Sequence, residues 1–205
     1  MALTTADILD LRAYERVRDE FRRKVIERKR RRRVPVGPIM TLVFECVDTV
    51  RFQIQEMARV EKIISDEGIQ AELDVYNSLL PAPGELSATL FIELTDESDL
   101  RHWLPLLVGV EQAVGVEVRS GSGQADVVWS EPEPQHSELL TRETVTPAVH
   151  YLRFTFSGGQ IAEFARGAAL VVDHPRYQAR TELSDEVRAE LLGDLEGTTE
   201  PIPIG

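Results

Sequence analysis

The sequence predicts an α+β fold, a largely antiparallel sheet packed with helices, opened by a long basic helix. Three observations carry this reading. Helical and strand periodicities are mixed along the chain without the strict strand–helix–strand alternation of a parallel sheet. Several strand candidates are joined only by short turn segments, as hairpins require. At 205 residues, 42% hydrophobic and 28% charged, the chain can bury a full core without disulfide or metal staples. One domain over residues 1–195 is the expectation, with 196–205, which holds Pro201 and Pro203, a flexible tail.

Taken in order, Thr4, Thr5 and Asp7 can cap a helix over residues 6–32. Along it Leu11, Tyr14, Val17, Phe21 and Val25 recur at spacings of three and four. Pro35, Gly37 and Pro38 mark a turn. Residues 39–46 (IMTLVFEC) form a strand candidate. Helical spacing then runs over 50–67 through Val50, Ile54, Met57, Val60 and Ile64, with Gly68 as C-cap. A second helix over 69–80 stops at Pro81. Residues 86–94 alternate as a strand, and a helix follows over 96–113, in which Pro105 argues for a break.

Segments 114–119 and 124–130 flank Ser120-Gly121-Ser122-Gly123, a hairpin signal, and the proline-rich stretch 131–147 reads as a loop. Strand 149–156, helix 159–166, strands 168–172 and 176–183, and a last helix begun by Ser184 and reaching 195 complete the chain.

The net charge of −12 is unevenly spread. Residues 1–33 carry 12 Lys/Arg against 6 Asp/Glu, leaving −18 on the other 172. Within that arm, nine of the twelve residues 22–33 (RRKVIERKRRRR) are basic. Arg30, Arg31 and Arg32 could neutralise nucleic-acid phosphates, but the acidic remainder would repel a polyanion, and no aromatics interleave the run. The alternative is a helix end whose cations complement the helix dipole and dock on the acidic body. The asymmetry also fits contact between two copies of the chain, a homo-oligomer.

The single cysteine, Cys46, excludes an intrachain disulfide and a cysteine-built zinc or iron–sulfur site, and fits a reducing compartment. No signal peptide pattern opens the sequence and no apolar run is long enough to span a bilayer, so cytoplasm without membrane association is expected. Phosphate-loop, dinucleotide, serine-hydrolase and zincin signatures are missing, as is the Glu-x-x-His of di-iron bundles.

Candidate binding residues are Gln53, Glu56 and Arg59, polar residues on the helix beginning near Val50. His150 shares the core-facing side of its strand with Leu152, Phe154 and Phe156, which predicts a buried histidine. His174 lies between Asp173 and Pro175, a triplet that a turn explains. If the sheet joined His150 and His174 with Glu56 or Asp173, a nitrogen–oxygen metal site would form, so a bound metal ion stays open although no cofactor is predicted. His102 and His136 read as exposed.

The segments Ala6-Asp7-Ile8-Leu9-Asp10-Leu11, Tyr14-Glu15-Arg16-Val17-Arg18, Arg51-Phe52-Gln53-Ile54-Gln55-Glu56-Met57, Val149-His150-Tyr151-Leu152-Arg153-Phe154 and Val171-Val172-Asp173-His174-Pro175-Arg176-Tyr177 together resemble the bacterial family called domain of unknown function 3501, over about residues 4–195. The resemblance brings no catalytic residues with it. It implies a genomic setting beside rubrerythrin-like di-iron proteins and iron–sulfur oxidoreductases resembling heterodisulfide reductase subunits, hence partners in redox stress. Residues and resemblance together point to a non-catalytic accessory or binding protein. Metal binding and nucleic-acid binding are the alternatives.

Overall fold

A computed structural model describes residues 2–119, 125–133 and 144–204. Two antiparallel sheets organise them. The first, in the order β1 (Arg33–Val36), β2 (Met40–Phe44), β3 (Glu85–Ile92), β7 (Val149–Thr155), β6 (Glu131–Pro132), has five strands. The second orders β5 (Ala125–Trp129), β4 (Val114–Arg119), β8 (Ala168–His174) and β9 (Tyr177–Glu182). Six α-helices occur among the described residues: α1 (Leu11–Arg30), α2 (Val47–Glu61), α3 (Asp66–Tyr76), α4 (Glu97–Leu106), α5 (Gly158–Phe164) and α6 (Asp185–Glu196). None of them is long and apolar enough to cross a membrane.

Period-two alternation places the main core. Leu42, Phe44, Leu86, Leu90, Leu152 and Phe154 of the first sheet pack with Val114, Val116, Leu170 and Val172 of the second, and Leu191 and Leu195 of α6 join them. The opposite face of the first sheet is covered by α2 and α3, whose Val50, Ile54 and Leu73 form a second apolar cluster with Leu3, Leu79 and Leu80. In a third, Tyr14, Phe21 and Val25 of α1 meet Phe52, Ile202 and Ile204.

Several expected boundaries move, each for a local reason. The first helix begins at Leu11 instead of residue 6, because Asp10 caps the Ala13 N–H. Ahead of it, the backbone of Leu9 is drawn off by the Gln55 side chain, which accepts from the Leu9 N–H at 2.9 Å and donates to its carbonyl at 3.1 Å. Pro35 lies within β1, where an edge strand tolerates a missing N–H, and the turn falls at Gly37, with φ +71°.

The helix expected over 50–67 spans Val47–Glu61 and ends at Lys62, which adopts the left-handed conformation usually reserved for glycine. Gly68 is therefore no C-cap: it sits in the first turn of α3, donating to the capping Ser65 hydroxyl.

Beyond α6, in the segment expected as a flexible tail, three bonds reach the body of the protein. Arg28 donates to the Glu200 carbonyl, the Ile202 N–H donates to Asp48 at 2.9 Å, and Arg51 donates to the Ile202 carbonyl. Those bonds lay Ile202 and Ile204 on the α1 cluster. The predicted turn at 120–123 and most of the predicted loop 131–147 lie outside the described residues.

Candidate functional site

Part of the basic run is turned into the molecule, while Arg22, Arg23, Lys24, Arg30 and Arg33 stay exposed. Arg32, fully buried, donates to both carboxylate oxygens of Asp194 at 2.5 and 3.0 Å and to Glu190 at 3.0 Å. Arg28 and Arg31 reach Glu190 at 3.1 and 3.2 Å, and Arg28 also lies 3.4 Å from Asp48. Burial works to raise the Glu190 carboxyl, yet Arg32, Arg28 and Arg31 hold it below its ordinary value. Arg30, exposed, pairs with Glu27 at 2.9 Å and Glu186 at 3.6 Å. Arg32 has no surface left to offer a phosphate, so the nucleic-acid reading loses its most buried candidate. Part of the charge that reads as a polyanion signal in sequence, on Arg28, Arg31 and Arg32, serves to clamp the end of α1 onto α6.

The two histidines are also engaged. The His174 Nδ1 accepts from the Arg176 N–H at 3.2 Å, so the proton belongs on Nε2, which lies 3.1 Å from the Val108 carbonyl. Nδ1 thus serves the β8–β9 turn, and Nε2 ties that turn to the segment after α4. His150 is buried with Leu152, Phe154 and Phe156. Its Nε2 lies 3.1 Å from the Thr146 hydroxyl, and its Nδ1 is 3.9 Å from Glu111. Burial lowers its pKa, partly offset by Glu111.

Glu56 stands elsewhere, on α2, accepting from Tyr14 at 2.8 Å, from Arg18 at 2.8 and 2.9 Å and from Arg59 at 3.2 Å. Asp173, exposed, accepts from Gln178 at 2.9 Å. Neither carboxylate joins a histidine, and among the described residues no group of three or more His, Cys, Asp or Glu is placed to hold a metal ion. His102 is exposed, and His136 lies outside the described residues.

Gln53 leads to a different place. It stands at a cleft of about 250 Å³ between α2 and the outer face of the first sheet. Register builds the wall: Thr89 opposes Tyr151 and Phe91 opposes Val149, so these four share one face. Glu45, one residue beyond β2, accepts from the Thr49 hydroxyl at 2.5 Å and the Thr89 hydroxyl at 2.6 Å. Tyr76 and Lys29 also line the cleft, and the Lys29 ammonium lies 5.9 Å from the centre of the Phe52 ring. Burial, then Tyr76 and Glu45, push the Tyr151 hydroxyl pKa up. Sequence reasoning passed over Glu45, although a lone carboxylate closing the apolar run 39–44 was a usable signal.

A second surface feature lies at the corner between α2 and α3. Val60 is 65% and Ile64 87% exposed, among the exposed acids Glu61, Asp66 and Glu67. The left-handed Lys62 turns the chain there and ends the helix that would otherwise have carried Ile64 along its own face.

Residues 2–195 match the family described as Protein of unknown function (DUF3501). The chain belongs to that family. This DUF3501 protein is also similar to a solved structure, the crystal structure of a novel protein of unknown function from Burkholderia pseudomallei K96243. That chain is 40% identical, with a TM-score of 0.84 over 95% of this chain and 100% of the other. No curated protein matches the DUF3501 chain.

Proposed function

We propose that this chain is a non-catalytic accessory protein that docks on a redox partner through the α2–α3 corner. The observation that carries the reading is that Val60 and Ile64, at the two sides of the Lys62 turn, are both exposed, with the exposed acids Glu61, Asp66 and Glu67 near them in sequence. Apolar side chains left in water gain free energy when a partner covers them. The acids add selectivity: a body with a net charge of −12 overall steers toward a basic rim and repels acidic surfaces.

The partner class comes from the family resemblance, which points to rubrerythrin-like di-iron proteins and iron–sulfur oxidoreductases, in a cytoplasmic setting. Cys46 is buried in the fold, so the reading assigns the redox chemistry to the partner and recognition to this chain.

Direct binding to a purified rubrerythrin-like protein from the same host, measured at low and moderate salt, tests this. Val60→Asp and Ile64→Asp should each weaken binding about tenfold or more, and affinity should fall as salt rises. Equal affinity of wild type and both variants would contradict the assignment.

A further inference from the structure

We propose that the cleft at Glu45 is a binding site for a small organic ammonium ion. The floor is the Glu45 carboxylate, whose two oxygens are each taken by a threonine hydroxyl, from Thr49 and from Thr89. Both threonines are buried, so they fix the carboxylate in one orientation. The N-terminus of α2, which starts two residues later, also favours negative charge there.

None of these groups carries a full positive charge. Among the described residues no lysine or arginine nitrogen lies within ion-pair distance of the Glu45 carboxylate; Arg32 donates to the Glu45 backbone carbonyl, at 3.5 Å. A half-buried carboxylate held by neutral donors has a charge still to be compensated, and a cation entering the cleft compensates it.

The walls select the kind of cation. Tyr76, Phe91 and Tyr151 line the same cavity, and aromatic faces attract alkylated ammonium groups while tolerating their methyl and methylene surface. A bare divalent ion would find a single carboxylate, too few oxygen ligands for tight binding. An anion would meet Glu45. A cavity of about 250 Å³ admits a molecule of few heavy atoms, such as a quaternary or primary alkylamine. Lys29, also lining the cleft, is directed to the Phe52 ring. The site is separate from the Val60–Ile64 corner, and either can fail without the other.

Protein-observed NMR titration of the full chain with choline tests the assignment, beside the neutral alcohol in which carbon replaces the choline nitrogen. Saturable binding of choline is expected, with shifts at Thr89 and Tyr151. The neutral alcohol should bind about tenfold more weakly or worse. Glu45→Gln, which keeps the side-chain shape, and Tyr151→Leu should each cut choline affinity by about tenfold while the remaining spectrum stays that of the folded protein. Absence of saturation with choline, equal binding of the neutral alcohol, or full affinity in a folded Glu45→Gln chain would each overturn the proposal. The comparison of the two ligands on wild type needs no variant, so it decides the matter even if a substitution unfolds the protein.

Discussion

Arg32 and Asp194 meet in the interior as a two-pronged ion pair, at 2.5 and 3.0 Å, joining residues 162 positions apart in sequence. Its removal separates the cost of desolvation from the worth of the pair. Asp194→Ala leaves a buried guanidinium with less than its full complement of acceptors, and a loss of about 3–5 kcal/mol is expected in urea unfolding. Replacing both partners, Arg32→Met with Asp194→Leu, removes the stranded charge, so the double variant should be more stable than Asp194→Ala. A double variant less stable than the single would show that the pair contributes more than charge compensation.

Glu56 supplies a pH signature. Its hydrogen bond from Arg18, opposed by burial and helped by Tyr14 and Arg59, takes its pKa from 4.5 down to about 2. The folded state therefore binds this proton less readily than the unfolded state. The stabilisation is complete above about pH 4.5 and disappears as pH falls through about 2. Glu56→Gln should cost about 1 kcal/mol at neutral pH, after allowance for solvent screening of a partly exposed group. That difference should shrink below pH 4.5. Thermal melts of both proteins across the acid range would show it.

His150 works at higher pH and by a different cause. Burial depresses its pKa below the ordinary 6.5, with Glu111 opposing. Its contribution is whole above pH 6.5 and is lost as pH falls toward the folded-state value, because the unfolded chain takes up the proton first. In His150→Gln the decline of stability below pH 6.5 should be shallower than in wild type. Denaturant midpoints at pH 7.5 and a unit or two lower suffice to compare the slopes.

Ile202 tests whether the C-terminal segment belongs to the fold. Its backbone is held by Asp48 and Arg51, and its side chain rests with Phe21 and Val25. Ile202→Asp sets a carboxylate against apolar surface and close to Asp48, and should cost about 2–3 kcal/mol. A variant within about 0.5 kcal/mol of wild type would mean that the segment is dispensable to stability.

Much of the architecture was legible from local pattern. Alternation in 149–156 gave a strand with His150 facing the core, and Ser184 ahead of Asp185 and Glu186 marked the start of α6, where its hydroxyl accepts from the Val187 N–H. What local pattern could not show were long-range partners. Gln55, 46 residues away, holds Leu9 out of the N-terminal helix, and Arg32 is buried only because Glu190 and Asp194 come to meet it. A run of arginines looks the same in sequence whether it faces solvent or an acidic helix.

The site was less legible than the fold. Gln53 was chosen for its place on a helix and does stand at the cleft, but Glu45, Thr49, Thr89 and Tyr151 come together only through the register of β2, β3 and β7 and the placement of α2. His150 and His174, attractive as donors in sequence, belong to different sheets, and both His174 nitrogens are engaged, by Arg176 and by Val108.

The most direct test of the docking account is recovery of partners from the native host by tagged wild-type chain and by a Val60→Asp, Ile64→Asp variant at equal expression. The account predicts that a rubrerythrin-like or iron–sulfur oxidoreductase protein is identified with wild type and falls to background with the variant, both chains melting at similar temperatures. Repeated recovery of no redox protein, or equal recovery by both chains, would contradict it.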